Sequence, residues 1–96
     1  MDKQNYLLVC LLEECAEVQK AITKTLRFGL EDTKPNTNTT NKELIEDELS
    51  DIQGIIELLK EECGVEIKTS INTILEKKKR VRRYMDYSRK SGFLSD

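Results

Sequence analysis

Two acidic pairs stand where helices should be apolar. Glu14 and Glu17 lie three residues apart in Leu11-Leu12-Glu13-Glu14-Cys15-Ala16-Glu17-Val18, and Glu48 and Asp51 lie three apart in Ile45-Glu46-Asp47-Glu48-Leu49-Ser50-Asp51-Ile52. Residues three apart on a helix share a face. Cys10 and Ala21 flank the first pair along that face, and Leu44 and Ile55 flank the second. Each pair therefore interrupts an apolar stripe rather than decorating a solvated one. Carboxylates in such positions are costly unless a cation neutralises them. Hard divalent cations such as magnesium take oxygen ligands, so the pairs read as candidate metal ligands. Four carboxylates suit two such ions, with positions left for phosphate oxygens and water.

Three long helices are needed to position these groups. The first runs from about Asp2 to Phe28, where Leu7, Cys10, Leu11, Glu14, Val18, Ala21, Ile22 and Leu26 recur at spacings of three and four and Gly29 follows as a stop. Leu30 to Thr40 is a polar loop, either functional or a mobile connector. The second helix opens on Thr40-Asn41-Lys42-Glu43, a capping box with Thr40 as the cap unless Asn41 takes that place, and ends near Cys63-Gly64. Gly54 inside it suggests close helix packing. The third helix is predicted from about Glu66 to Lys90, with Ile67, Ile71, Ile74, Leu75, Val81 and Met85 as its stripe and residues 91–96 as a tail or docking arm. The expected fold is all-α, a single domain over residues 1–96 built as an antiparallel bundle of three long helices. An antiparallel first pair brings the two acidic pairs together.

Composition narrows the alternatives. At 96 residues the chain buries only about 60–65% of its unfolded surface, and 35% of its residues are charged. So little core predicts that subunits complete each other's burial, as a homodimer at least or a dimer of dimers. The three cysteines, Cys10, Cys15 and Cys63, form no C-x-x-C motif, and there is no histidine. Zinc sites and His-dependent nucleophiles are thereby disfavoured. The cysteines read as small core residues kept reduced in a cytoplasmic setting. No apolar run approaches the roughly 20 residues of a membrane span, and Met1-Asp2-Lys3-Gln4-Asn5 does not lead into a signal-peptide core.

Charge divides along the chain. Residues 1–66 carry 7 basic and 15 acidic side chains, whereas residues 67–96 carry 9 and 3. The division fits a site holding metal on one side and phosphate on the other, and it fits plain helix-to-helix complementarity equally well.

Glu13-Glu14-Cys15-Ala16-Glu17 matches E-E-x-x-E, and Glu48-Leu49-Ser50-Asp51 matches E-x-x-D on the following helix. In this order they resemble the signature of the all-α nucleoside triphosphate pyrophosphohydrolases, which include MazG-like proteins, dCTP pyrophosphatases, dimeric dUTPases and phosphoribosyl-ATP pyrophosphohydrolase. The resemblance covers roughly residues 6 to 87. The short length and Lys24-Thr25-Leu26-Arg27-Phe28-Gly29 look like compact MazG-like proteins, phage-encoded ones among them. It implies magnesium-dependent cleavage between the α and β phosphorus atoms, with manganese as a substitute, giving nucleoside monophosphate and pyrophosphate. By position the metal ligands would be Glu14, Glu17, Glu48 and Asp51. Glu13, about 100° round the helix from Glu14, would hold a water or a lysine beside them, or simply face solvent. Relatives contact phosphate and sugar from the next helix, which points to Lys77, Arg80 and Tyr84, spaced three and four apart on one face. Val81 stands where some relatives carry Asn.

The function expected is hydrolysis of ribo- or deoxyribonucleoside triphosphates in nucleotide-pool house-cleaning. Phosphoribosyl-ATP hydrolysis is the alternative within the same chemistry. Outside it stand a nucleic-acid-binding protein using Lys77 to Arg83 and a non-catalytic helical dimer whose acidic pairs are ion-pair partners. The acidic balance and 5% aromatic content argue against nucleic acid.

Overall fold

The computed structural model describes residues 1–96 and contains three helices and no strand, α1 (Lys3–Phe28), α2 (Asn41–Cys63) and α3 (Ile71–Lys90). The all-α reading holds. Asp2 caps α1 by accepting from the Asn5 N–H at 2.7 Å. Gly29 ends it with φ +96°, its N–H bonded to the Thr25 carbonyl at 2.7 Å. Thr40 rather than Asn41 caps α2, and both halves of the capping box form: the Glu43 N–H to Thr40 Oγ1 at 3.1 Å and the Thr40 N–H to Glu43 Oε1 at 3.3 Å. Gly64, in the left-handed region at φ +68°, ends α2. No helix is long and apolar enough to cross a membrane.

α1 and α2 pack antiparallel. The Lys3 ammonium meets Glu62 at 3.0 Å, joining the start of α1 to the end of α2. That hydrogen bond, then the opposite charge, raises the Lys3 pKa above its ordinary value. Both side chains are at least half exposed, so the pair adds little stability. The seam is made by Leu7, Cys10, Leu11, Glu14, Val18 and Ala21 against Leu44, Ile45, Glu48, Ile52, Ile55, Ile56 and Leu59, all buried or half-buried. Cys10 and Cys63 are half-buried and Cys15 is exposed; all three are free thiols. Cys15 therefore departs from the expected core role, because its helix position turns it away from α2.

The connector is an ordered loop. Thr33 and Thr40 form an isolated antiparallel bridge. The Lys34 N–H bonds the Thr39 carbonyl at 2.9 Å, the Asn41 N–H bonds Asp32 at 2.9 Å and the Lys42 N–H bonds Leu30 at 3.0 Å. Asn41, 5% exposed, donates its side-chain amide to the Gly29 carbonyl at 2.8 Å and so locks the end of α1 to the start of α2.

Two expectations need correction. α3 starts at Ile71, not Glu66, with Ser70 as its cap accepting from the Thr73 N–H at 3.3 Å. The β-branched Val65, Ile67 and Thr69 suit extended backbone, and Ser70 offers the better cap. Gly54 marks no close packing, since a Cβ built there meets nothing within 4 Å.

α3 packs on neither α1 nor α2. The radius of gyration is 17.3 Å, against about 12–13 Å for a closed domain of this length. Only Leu7, Ala21, Leu59 and Asn41 are buried, and of these only Leu59 fully. On α3, Ile71, Ile74, Leu75, Val81 and Met85 are 38–77% exposed.

Candidate functional site

Antiparallel packing sets the middle of α1 against the first turns of α2. Glu14 and Glu48 fall on the packed faces and are half-buried, whereas Glu17 and Asp51, one turn along each helix, border the seam and are exposed. One carboxylate oxygen each from Glu14, Glu48 and Asp51 lie within 4.8 Å of one another. Glu17 stands outside that trio but lines a cleft with Glu48. Glu13 is exposed on the neighbouring face of α1.

The trio is under electrostatic tension. Glu48 is held above its ordinary carboxylate value, first by loss of water, then by the close approach of the Glu14 carboxyl, then by the charges of Asp51, Glu14 and Glu17. Glu14 Oε2 is fully buried and has no hydrogen-bond partner. Buried polar atoms almost always have one. An orphaned carboxylate oxygen beside two further carboxylates, with no nitrogen or sulfur donor among them, fits a hard, oxygen-ligated divalent cation.

The cleft also carries basic groups. The cleft that holds Glu17 and Glu48 has a volume of about 190 Å³, and Lys20, Lys24 and Lys34 line it too. The reading of the sequence missed these lysines. Lys20 and Lys24 follow Glu17 at i+3 and i+7 on the same face of α1, so the spacing that singled out the acidic pair reaches them as well. Lys34 sits on the loop, where no periodicity applies; the Thr33–Thr40 bridge and the Lys34–Thr39 hydrogen bond hold its backbone there. Carboxylates and ammonium groups lining one small cleft can hold a cation and a polyanion side by side.

Lys77, Arg80 and Tyr84 do not join this cleft in their own chain. All three are exposed on α3, which leaves the α1–α2 pair untouched.

No curated protein and no solved structure gives a match to the chain. A family model does: that of the MazG nucleotide pyrophosphohydrolase domain matches residues 2–85, through α1, α2 and most of α3, and the chain belongs to that family.

Proposed function

We propose that this protein hydrolyses ribo- or deoxyribonucleoside triphosphates to nucleoside monophosphate and pyrophosphate in a magnesium-dependent reaction, as a cytoplasmic single-domain enzyme of nucleotide-pool house-cleaning. The observation that carries the reading is the orphaned Glu14 oxygen within a carboxylate trio, one member of which, Glu48, lines a cleft together with Glu17 and three lysines. Glu14, Glu17, Glu48 and Asp51 would hold magnesium, or manganese in its place. When bound, the cation neutralises phosphate oxygens and lowers the pKa of a coordinated water.

The chain's own residues do the rest. Lys20, Lys24 and Lys34 offset charge along the polyphosphate and stabilise the departing pyrophosphate. Glu13 orients a water or a lysine at the edge of the cluster. Attack on the α-phosphorus is in line, and no covalent nucleophile is needed, in agreement with the absence of histidine. The deciding experiment is a screen of all common NTPs and dNTPs for released pyrophosphate. Orthophosphate and a nucleoside diphosphate as initial products would rule the reaction out. Nucleic-acid binding that survives EDTA, with no hydrolysis, would favour the rival reading.

The lysine wall makes a graded prediction. A charge-assisted hydrogen bond contributes about 1.5–3 kcal/mol. Lys24→Ala and Lys34→Ala should each lower kcat/KM about 10- to 100-fold, while Lys79→Ala, remote on α3, leaves it unchanged. Equal effects at all three positions would count against a phosphate role for the cleft.

Assembly is part of the reading. The exposed apolar stripe of α3 and its basic run match the acidic α1–α2 pair in character and opposite sign. α3 then covers the α1–α2 pair of a second copy and carries Lys77, Arg80 and Tyr84 towards the partner's cleft. Sedimentation should give a homodimer or a dimer of dimers at micromolar concentration; a monomer would refute it.

A further inference from the structure

A second recess opens beside the carboxylate–lysine cleft. It has a volume of about 350 Å³, and Lys24, Lys34 and Leu44 line both spaces. The two adjoin, with Lys24, Lys34 and Leu44 between them. Beyond the junction the character changes. Phe28, Pro35 and Leu44 give apolar surface, and Asp32, Thr33 and Asn41 give polar groups.

Two of those polar groups are acceptors with no donor from the chain. Asn41 uses its side-chain N–H on the Gly29 carbonyl at 2.8 Å, which leaves its Oδ1 without a donor in the chain. The Asp32 carboxylate forms no ion pair and no side-chain hydrogen bond, although its backbone is fixed by the Asn41 N–H at 2.9 Å. Asn41 opens α2 and Asp32 lies in the connector hydrogen-bonded to it, so both acceptors sit on backbone tied down by the loop's own hydrogen bonds. The Phe28 ring is 60% exposed, with the Arg27 guanidinium 5.0 Å from its centroid.

We propose that this recess receives the nucleobase of the triphosphate and that Asp32, assisted by Asn41 Oδ1, selects bases that carry an exocyclic amino group: cytosine, adenine and guanine over uracil and thymine. The assignment rests on the hydrolase reading, because the occupant is identified by adjacency to the cleft. With the triphosphate in the cleft, between the carboxylates and the lysines, the nucleoside end passes the Lys24–Lys34 junction and the base enters the recess. A flat aromatic heterocycle suits the Phe28, Pro35 and Leu44 surface. Amino groups donate, and a carboxylate can only accept. Cytosine, adenine and guanine offer an amino group with two N–H donors, whereas uracil and thymine offer a single ring N–H between two carbonyl oxygens, so a pair of acceptors is left short of a donor and repels a carbonyl, and discrimination comes from an unfavourable contact as much as from a favourable one.

The test compares magnesium-dependent pyrophosphate release from dCTP, dATP, dGTP, dTTP and dUTP by the wild-type protein and by Asp32→Asn. The expected result is a kcat/KM at least about 10-fold higher for the amino-bearing bases in the wild type. In the variant, whose amide both donates and accepts, the gap should shrink to about threefold or less by gains on dTTP and dUTP. Phe28→Ala should raise KM for every base without changing their order. Equal rates on all five substrates in the wild type, or a gap that persists in Asp32→Asn, would overturn the base assignment and leave the hydrolase reading standing. No pyrophosphate from any of them would overturn the hydrolase reading itself, and this assignment with it.

Discussion

Replacing Glu48 by Gln should lower kcat/KM by about a thousandfold or more while making the metal-free protein more stable. The two effects have one cause. Glu48 sits half-buried in the seam, and Glu14, Asp51 and Glu17 each add to the charge that pushes its pKa up. An amide of nearly the same shape keeps the packing and removes one negative charge, so the metal-free helices repel less. The same change removes a ligand oxygen. A thousandfold loss is about 4 kcal/mol of transition-state stabilisation, within the several kcal/mol that a bound cation supplies in such reactions. Glu14→Gln, Glu17→Gln and Asp51→Asn should also abolish most hydrolysis with the helices intact. Pyrophosphate release measured with circular dichroism melts separates the two consequences. Near-wild-type turnover by Glu48→Gln would remove the carboxylate cluster from the mechanism.

The second large effect is on stability in response to metal. Magnesium or manganese binding only the folded state at about 100 times its Kd stabilises by about 2.7 kcal/mol. For a domain of this size each kcal/mol moves Tm by about 4–8 °C, so a rise of about 10–20 °C is expected. Excess EDTA should reverse the rise and stop hydrolysis. In Glu48→Gln the rise should largely disappear, which ties the shift to the cluster rather than to the general acidity of residues 1–66. Full activity in EDTA would contradict the metal requirement directly.

The carboxylate site could be anticipated because its signal is local. Glu14 and Glu48 break an apolar period, and a charge inside a stripe is visible without knowing what packs on it. The ends of α1 and α2 were equally legible, since Asp2, Gly29, Thr40 with Glu43, and Gly64 act on backbone groups within a few residues. The start of α3 was not. Ile67 continues the spacing of Ile71 and Ile74, and periodicity alone does not register that Val65 and Ile67 prefer extended backbone and Ser70 prefers a cap. The position of α3 was beyond reach for another reason: a stripe tells which face is apolar, not what covers it. Lys34 illustrates the same limit on a loop, where its approach to Lys20 and Lys24 depends on the fold of its neighbours.

The connector between α1 and α2 is fastened along its length, by the Thr33–Thr40 bridge and by the hydrogen bonds from Asn41 and Lys42 back to Gly29, Asp32 and Leu30. The entropy of ordering that segment is thus lost during folding, not on arrival of a ligand. If the groove takes a nucleotide as proposed, Lys34 and Asp32 would meet it on backbone already in place, with no loop closure as a separate kinetic step. Association there would then be governed by diffusion and by the field of the lysines, and should slow with rising ionic strength rather than with the stiffness of the chain.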